Sequence, residues 1–600
     1  MSQPSPQSQP DPAEQPTPAT DTPDATDTTD AAPARPGHPA EQPTPATDTT
    51  PTPDTPPTTP ATPGVPLPPM AFNLWGTPDE ARPLSPGIRR MLASLLGVDA
   101  SRVRRVAAAD VRLSDPRLSA EDIAALGALV GPDHVTRDRD QRMPRARGKS
   151  SLDLLEWREG GVVSAPDAIV APGTEDEVLA LLEWASAEGV AVVPFGGGTS
   201  VVGGLTPLDG GFRGVISLDL ARFDAVEDVD PVSGLVTLGA GLSGPHAEML
   251  LAEHGLQLGH FPQSFPYATI GGFAVTRSSG QNSAGYGRFD DMVRELTVVT
   301  PRGVIHPGRQ APATAAGPDL REVFMGSEGT FGVVTRVRVR VHPIPETKRY
   351  EAFTFRTFDA GVEALRAVEQ QGTGPTVIRL SDEIESSVNL TSTDRIGEAS
   401  HAPEGCLCIT VFEGTPAHAA SRHRETREVL LAHGGESAGE GPARAWEEGR
   451  FGAPVLRDSL LDGGALCETL ETATDWSNVP RLKRAVGEAL AEGLTGSGTA
   501  ALVMCHVSHV YPTGCSLYFT VVAAQNGTPV EQWRAVKTAV TGAIVDNGGT
   551  VTHHHAVGTD HMPFMGREIG ELGVEILRGI KRTLDPAGIL NPGKLFDARG

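Results

Sequence analysis

Apolar residues recur at helical spacing in several stretches of the chain. The segments 86–96 and 119–130 each predict a helix, the second with Ser119 as its N-cap. In the segment 174–189, Thr174 and Glu177 predict a capping box, and Gly189 ends the pattern. The apolar positions of that helix share one face: Val178, Leu181, Leu182 and Ala185. The first two helices belong to a predicted N-terminal helical region, residues 70–159.

Between residues 160 and 344 the pattern changes to strands that alternate with helices. Strands are predicted at 190–194, 214–220, 235–242 and 296–305, with a helix at 245–254. The block closes on a strict alternation, with Val337, Val339 and Val341 on one face and Arg336, Arg338 and Arg340 on the other. That alternation predicts a half-exposed antiparallel strand. Two prolines at 343 and 345 then mark a domain boundary.

A second block, residues 345–559, shows strands with polar alternation separated by helices. This order predicts an antiparallel sheet covered on one side by helices. Cys406 and Cys408 share one face of a predicted strand and are expected in its core. The last segment, 560–600, ends the chain in turns. The predicted fold class is therefore α+β with two main domains.

The first 69 residues differ in composition from the rest. They are mostly Pro, Thr, Ala, Asp, Ser and Gln, and AEQPTPATDT occurs twice, at 13–22 and 40–49. Such a segment has too few apolar residues to offset the entropy of ordering, so it is predicted to be a disordered tail. It has no basic and apolar pattern of a signal peptide, and we predict a cytoplasmic protein. Arginine outnumbers lysine throughout, which indicates a bacterial origin.

Charge and cysteine content narrow the possible partners. Of the net charge of −25, the tail carries −8 and the remaining chain −17. This excess of acid argues against nucleic acid as a partner. The sequence holds no apolar run long enough to span a membrane. Its five cysteines form no CxxC pair, which fits buried thiols better than a disulfide framework or a zinc site.

A glycine-rich stretch, PFGGGTSVVGGL, spans Pro194 to Leu205 directly after a predicted strand. It fails the dinucleotide fingerprint G-x-G-x-x-G, because Val201 stands at the sixth position counted from Gly196, where the last glycine is needed. It also lacks the lysine of a P-loop. What remains is a loop of consecutive backbone N–H groups that can hold a pyrophosphate, or else a plain glycine-rich turn. Two further polar, glycine-rich stretches, 262–293 and 326–334, predict one long ligand threaded through this domain.

Five motifs in order, PFGGGTS, ATIGG, SSGQNSAGYG, GSEGTFGVV and DPAGILNPGK, resemble the FAD-binding domain of the vanillyl-alcohol-oxidase and p-cresol-methylhydroxylase superfamily. The resemblance implies a two-subdomain FAD-binding domain at 160–344, an α+β substrate cap at 345–559, and a C-terminal segment, 560–600, that returns to the flavin. Relatives with covalent flavin often carry histidine where Thr199 stands, so non-covalent FAD is expected. The implied cofactor contacts are Pro194, Gly196, Gly197, Gly198, Thr199, Ser200, Pro262, Ser264, Thr269, Gly271, Gly272, Thr276, Ser279, Gly280, Tyr286, Gly287, Glu328, Gly329, Thr330, Gly332, Val333 and Val334.

Motifs outside the flavin domain, among them CETLETATDWSNV, CSLYF and THHHAVG, resemble the alkyldihydroxyacetonephosphate synthase family from about Asn73 to the end. The resemblance implies exchange of an acyl for an alkoxy group in ether-lipid synthesis, without net redox. Tyr518 matches the family's catalytic tyrosine, which takes and returns a substrate proton. Arg457 matches its substrate-binding arginine, whose planar fork suits a phosphate. His553, His554 and His555 match its histidine cluster.

Purely structural roles stay open for the same residues. A tyrosine in a strand commonly packs in a core, and an isolated arginine commonly lies on the surface. Neighbouring strand residues point to opposite faces, so three consecutive histidines are predicted not to form a metal site.

The alternative function is a FAD-dependent 2-hydroxy-acid dehydrogenase or oxidase of the D-lactate or glycolate type, in which Arg457 would bind a carboxylate. A flavin-binding protein without catalysis is a third hypothesis, against which the intact Tyr518, Arg457 and histidines argue. We expect a small-molecule lipid or hydroxy-acid substrate and a homodimer. Peripheral contact with a membrane stays open.

Overall fold

The computed structural model describes residues 70–103, 106–308, 311–388 and 405–597. The predicted disordered tail, residues 1–69, lies outside the described residues. Within them, no helix is long and apolar enough to cross a membrane.

A four-stranded mixed sheet forms the first layer of the flavin domain. In spatial order its strands are Val135–Thr136, Ala168–Val170, Gly214–Asp219 and Val190–Phe195. The first pair of neighbouring strands is antiparallel, and the other two pairs are parallel. Val135–Thr136 comes from the predicted N-terminal helical region, so that region also contributes to this sheet. The helix Glu175–Glu188 makes the crossover between two parallel strands and buries the apolar face predicted for it.

The cap of this helix differs in part from the prediction. The Thr174 hydroxyl accepts a hydrogen bond from the Glu177 N–H, as an N-cap should. The Glu177 carboxylate, however, accepts from the N–H of Gly173 at 2.6 Å and also contacts Arg222. The predicted capping box was therefore wrong, because Arg222 draws the carboxylate away from the Thr174 N–H.

A five-stranded antiparallel sheet forms the second layer, with the order Gly303–Ile305, Val293–Thr300, Val333–Arg340, Leu235–Gly239 and Val226–Asp230. The alternation predicted for the Val333–Arg340 strand is confirmed, since Val337 and Val339 are fully buried and Arg340 is exposed. The single strand predicted at 296–305 is instead a hairpin. It turns at Pro301 and Arg302, whose N–H donates to the Thr300 hydroxyl.

A seven-stranded sheet organises the second domain, and every neighbouring pair in it is antiparallel. Its order is Glu436–Gly439, Thr347–Phe355, Cys406–Gly414, Val377–Ser381, Ala501–Val510, Gly514–Ala524 and Ala465–Asp475. Helices cover one face: Phe358–Gln371, Pro416–Ala432, Val479–Gly496 and Pro529–Asp546. The predicted antiparallel sheet is confirmed, and Cys406 and Cys408 lie in its core. The prediction of helices on one side only was incomplete, because Pro86–Leu96, Gly441–Gly449 and Ala453–Asp462 pack against the ends of the other face.

Side-chain alternation gives the two faces of this sheet different roles. In the Gly514–Ala524 strand, Leu517, Phe519 and Val521 pack into the core beneath the helices. The residues between them, Tyr518, Thr520 and Val522, line a large cavity on the other face. The sheet is thus the wall of the candidate site.

The remaining elements connect these layers. The C-terminal segment returns to the flavin domain, where the Asn591 N–H donates to the Val192 carbonyl at 2.8 Å. Two small sheets pair Arg112–Leu113 with Val162–Val163 and Leu256–Gln257 with His342–Pro343. The other α-helices are Pro86–Leu96, Ala120–Val130, Arg139–Arg142, Ser151–Glu159, Gly244–Ala252, Ile270–Val275, Ser283–Tyr286, Phe289–Met292, Arg321–Phe324, Glu383–Val388, Gly441–Gly449, Ala453–Asp462, Met565–Ile569 and Glu571–Leu584.

Candidate active site

A cavity of about 400 Å³ lies between the glycine-rich loops of the flavin domain and the open face of the seven-stranded sheet. Most of the residues predicted to contact FAD line it, and so do Arg457, Tyr518, His554 and His555. Five predicted site residues do not line it: Gly280, Tyr286, Gly287, Thr330 and His553. Tyr286 instead donates its hydroxyl to Glu413 at 2.7 Å.

The first glycine-rich loop is packed tightly against the second. A Cβ on Gly197 would lie 1.9 Å from the Tyr267 carbonyl oxygen, and one on Gly196 would lie 2.4 Å from the Thr269 hydroxyl. Gly198 has φ +72, a conformation that favours glycine. The glycines are therefore required first by the contact between the two loops, which brings the backbone of both to the cavity.

This loop keeps hydrogen-bonding capacity for a ligand. Within the described residues, the N–H groups of Gly196, Gly197, Gly198 and Thr199 have no protein acceptor. Three buried polar atoms of cavity-lining residues also have no partner there: Gln263 Nε2, Gln281 Oε1 and Asn591 Oδ1. Buried polar groups are nearly always hydrogen-bonded, so these atoms fit a large polar ligand such as FAD.

Glu328 ties the third glycine-rich loop to the second domain. Its carboxylate accepts hydrogen bonds from the N–H groups of Val557, at 3.0 Å, and Gly558, at 2.7 Å. Burial raises the pKa of Glu328 to about 7, although these N–H groups and Lys594 oppose the shift. The Asn591 amide donates to the Glu328 carbonyl at 2.6 Å, so the C-terminal segment also contacts the third glycine-rich loop at the cavity.

Tyr518 projects into the cavity from the strand Gly514–Ala524, which lies next to the edge strand of the sheet. Its ring stacks on His506, with the ring centroids 4.8 Å apart, and lies 6.0 Å from His554 and 5.7 Å from His555. Burial raises the pKa of Tyr518 to about 12, and the nearby Glu468 and Glu471 carboxylates act in the same direction. The hydroxyl is therefore protonated at neutral pH in the protein alone.

The three consecutive histidines are held in a loop around Glu471. One Glu471 oxygen accepts from the His553 N–H at 2.6 Å, and the other accepts from the N–H groups of His554 and His555. The prediction treated these residues as part of a strand, and that was wrong. Because the carboxylate gathers three successive N–H groups, the loop turns around it and the side chains do not alternate between two faces.

The loop brings the imidazoles close to one another and to His509. One ring nitrogen each from His509, His553 and His554 lie within 4.8 Å of one another. The argument against a metal site from strand alternation therefore does not hold. Hydrogen bonds nonetheless account for the cluster: His509 contacts the Gly280 carbonyl and Ser516, and His553 contacts His554 and Tyr511. The absence of a resident metal stays a prediction.

Arg457 lies in the helix Ala453–Asp462 at the cavity wall. Its guanidinium donates to Asp458 through Nε and Nη2, at 3.1 and 3.0 Å, and to the Lys149 carbonyl through Nη1 at 2.5 Å. A guanidinium has five N–H groups. Two of them have no acceptor within the described residues, which leaves capacity for an anionic ligand.

Sequence reasoning missed a buried charged group on the same sheet face. Glu385 accepts from Arg379 at 2.6 Å and lies 3.1 Å from the His506 ring nitrogen. Burial alone would raise the pKa of Glu385, but His506 and Arg379 outweigh it and lower the pKa to about 2. The available signal was His506, which stands opposite Tyr518 on the neighbouring strand. His509, three residues further on, also lines the cavity because the strand register shifts between Val507 and Val510.

Another part of the cavity is apolar. Its lining includes Leu407, Trp446, Leu456, Leu460, Met504 and Val522. Such a wall suits an alkyl chain, whereas a small hydroxy acid would leave it uncovered.

Comparisons with known proteins define the class first. Residues 166–307 match the family described as "FAD binding domain", and residues 344–595 match "FAD linked oxidases, C-terminal domain". The structure of p-cresol methylhydroxylase with substrate bound has the same fold, with a TM-score of 0.63 over 80% of this chain and 97% of that chain, at 18% identity. The chain is thus a FAD-binding enzyme with the two-domain architecture of the p-cresol-methylhydroxylase type.

The family follows from more similar proteins. Alkyldihydroxyacetonephosphate synthase from Trypanosoma brucei brucei is 33% identical over 81% of this chain and 82% of its own length. A solved alkyldihydroxyacetonephosphate synthase has a TM-score of 0.73 and 27% identity over 87% of this chain and 98% of that chain. The mitochondrial cytochrome D-lactate dehydrogenase of Arabidopsis thaliana is 27% identical over 77% of this chain and 78% of its own length. The chain belongs to the alkyldihydroxyacetonephosphate synthase family.

Proposed function

We propose that this protein is a FAD-dependent alkyldihydroxyacetonephosphate synthase, which exchanges the acyl group of acyl-dihydroxyacetone phosphate for an alkoxy group. The observation that carries this proposal is one cavity that joins three features. It combines the polar glycine loops, an arginine with two N–H groups that have no acceptor in the described part of the chain, and an apolar wall beside Tyr518. A phosphate, a reacting carbon and an alkyl chain need these three surroundings together.

The glycine loop Gly196–Gly198, Glu328 and Asn591 would hold the FAD. When bound, FAD supplies an electron-poor ring that accepts an electron pair from a substrate carbon and returns it. The chain's own residues do the rest. Arg457 orients the phosphate through its remaining N–H groups, and the apolar wall excludes water from the alkyl chain.

Tyr518 takes and returns the proton of the reacting carbon. With a pKa of about 12, its hydroxyl must first pass its own proton to a neighbour. The imidazoles of His554 and His555 lie beside its ring, and burial lowers their pKa to about 3 and about 4. Both rings are therefore neutral, and a neutral His555 has one acceptor nitrogen for the proton that Tyr518 gives up.

The alternative is a 2-hydroxy-acid dehydrogenase, which the likeness to the Arabidopsis enzyme keeps in view. The test incubates the purified protein with acyl-dihydroxyacetone phosphate and a labelled long-chain alcohol. We expect label in an ether product and release of one fatty acid per ether. If protein that carries bound FAD forms no labelled ether product at any protein concentration tested, the proposal is ruled out.

Five finer predictions accompany the proposal. The FAD is non-covalent, because Thr199 stands where covalent relatives often carry histidine. The protein is a homodimer in the cytoplasm of a bacterium. Contact with a membrane would be peripheral, and the helix Glu571–Leu584 offers exposed apolar side chains for it, Leu572 and Ile576. Size-exclusion chromatography with light scattering tests the dimer, and vesicle flotation tests the membrane contact.

A further inference from the structure

A chain of hydrogen bonds leads from the cavity toward the protein surface. The Tyr511 hydroxyl oxygen lies 2.5 Å from Nε2 of His553, and Nδ1 of His553 lies 2.9 Å from Nδ1 of His554. His554 lines the cavity, whereas Tyr511 is half-buried at a hairpin turn whose next residues are exposed. We propose that His554, His553 and Tyr511 form a proton relay between the reacting substrates and solvent. This inference rests on the proposed function, because the exchange reaction is what consumes and releases the protons.

The chain supports two complete proton arrangements. In the first, Tyr511 donates to His553 Nε2, His553 donates from Nδ1 to His554 Nδ1, and His554 presents Nε2–H as a donor. In the second, every bond is reversed, and His554 Nε2 becomes an acceptor. A neutral imidazole has one donor and one acceptor nitrogen, so each arrangement satisfies both rings. The two arrangements interconvert when one proton enters at Tyr511 and another leaves at His554, or the reverse.

The surroundings keep the relay aligned and neutral. Glu471 fixes the backbone of both histidines through the N–H groups that it accepts, and His509 packs against both rings at 5.1 and 5.4 Å. Burial lowers the pKa of both relay imidazoles, with His509 adding to the effect at His553, so neither is charged at rest. Neutral rings, each with one donor and one acceptor nitrogen, allow one proton to shift along every bond of the chain in a single concerted step.

At the outer end, charged groups face the Tyr511 hydroxyl. Burial raises the pKa of Tyr511 to about 12, Arg288 opposes this, and the carboxylates of Asp290 and Asp291 add to it. Arg288 is placed to stabilise the phenolate while a proton passes. The residues that follow Tyr511 in the turn, Pro512 and Thr513, are exposed, so this end of the chain of hydrogen bonds lies near solvent.

The exchange reaction uses each arrangement once. When the bond between C1 and the acyl oxygen breaks, its electron pair leaves with the carboxylate, which takes the His554 Nε2 proton. In the same step each bond of the relay passes one proton inward and Tyr511 takes one proton from solvent, so the relay reverses and no charged ring forms. When the alcohol oxygen bonds to C1, His554 accepts the hydroxyl proton and the relay expels one proton. The cycle closes with no net oxidation, and the fatty acid ionises in solution.

The test compares Tyr511→Phe with Tyr350→Phe, which removes a hydroxyl bonded to Glu447 outside the cavity. We expect Tyr511→Phe to retain FAD and lose roughly tenfold or more in turnover, within the scale of general acid–base effects. Added imidazole should restore part of the turnover of Tyr511→Ala, in which loss of the whole ring opens a space beside the buried His553 nitrogen. Wild type and Tyr350→Phe should not respond to imidazole.

A second measurement does not depend on the substrate. In protein labelled with ¹⁵N-histidine, Tyr511→Phe should shift the ring signals of His554, which Tyr511 does not touch, as well as those of His553. Turnover of Tyr511→Phe within twofold of wild type, a loss in Tyr511→Ala that imidazole does not restore, or unmoved His554 signals would each overturn the relay. If wild type makes no ether product, the proposed function fails, and the ¹⁵N spectra still decide the relay.

Discussion

His506 stacks on Tyr518 with the ring planes only 22° apart, and the two residues are direct partners on neighbouring strands. Glu385 holds the other side of His506 and is itself held by Arg379. Tyr518 is thus positioned from the rigid sheet rather than from a loop. A group that must take and return a proton at one atom benefits from such support, because a small displacement costs much of the rate.

Replacing Tyr518 by phenylalanine should abolish most of the turnover. The ring still stacks on His506, so FAD content and melting temperature should match those of wild type. Turnover should fall by roughly a hundredfold or more, the usual effect of removing a general acid or base. The same Tyr350→Phe control accounts for the loss of a hydroxyl elsewhere. Turnover near that of wild type would reduce Tyr518 to a packing residue.

Arg457→Lys should raise the KM for the phosphate-bearing substrate more than it lowers kcat. Lysine keeps the charge but loses the planar fork, and a charged hydrogen bond is worth about 1.5–3 kcal/mol, which corresponds to roughly a tenfold to hundredfold change. Arg366→Lys, at an exposed pair with Glu363, is the matched control. An unchanged KM in the Arg457 variant would place the phosphate elsewhere.

The flavin should leave the protein on acid precipitation. A threonine hydroxyl at position 199 is a weak nucleophile at neutral pH, unlike the imidazole found in covalent relatives. The supernatant should contain intact FAD by chromatography, and the pellet should be colourless. A yellow pellet after washing in denaturant would show a covalent link.

Stability should fall as the pH is lowered from about 6.5 toward 4. Burial lowers the pKa of His260 and His554 to about 3 and of His555 and His561 to about 4. The unfolded chain binds protons at these groups below about pH 6.5 and the folded chain does not, so protons favour unfolding. Glu248 and Glu328, with pKa values raised to about 7, and Asp153, with its pKa raised to about 6, act in the opposite direction. The buried histidines outnumber them, since burial also lowers the pKa of His342 to about 4.

Denaturant unfolding at a series of pH values checks this prediction. His561→Gln, outside the cavity lining, should reduce the slope of stability against pH in that range. Equal slopes in wild type and variant, or greater stability at pH 5 than at pH 7, would contradict it.

Local patterns predicted most of the fold. Alternation at Val337 and Arg338 is visible in the sequence because one sheet face is buried and the other is half-exposed, and the N-caps at Ser119 and Thr174 are set by residues three apart. The hairpin inside 296–305 was missed because its strands are apolar on both sides of a two-residue turn. The turn residues Pro301 and Arg302 carry no strong hairpin signal.

The candidate site was predicted only where motifs mark it. Tyr518, Arg457 and the histidines were found through their resemblance to a family. Their partners could not be found this way, because Glu385 and Lys149 lie outside the motifs. Glu471 lies inside CETLETATDWSNV, but its contact with His553, 82 residues away, is not visible in the sequence. Residue spacing also suggested a strand at His553–His555, where one buried carboxylate determines the backbone instead.

The requirement for an electron acceptor tests the central claim most directly. Under anaerobic conditions without any acceptor, the account predicts continuous formation of ether lipid from acyl-dihydroxyacetone phosphate and a long-chain alcohol, with one fatty acid released per ether. It also predicts that D-lactate and other 2-hydroxy acids leave the flavin oxidised. Bleaching of the flavin by a hydroxy acid, with colour restored by a dye acceptor and no alcohol incorporated, would contradict the exchange function.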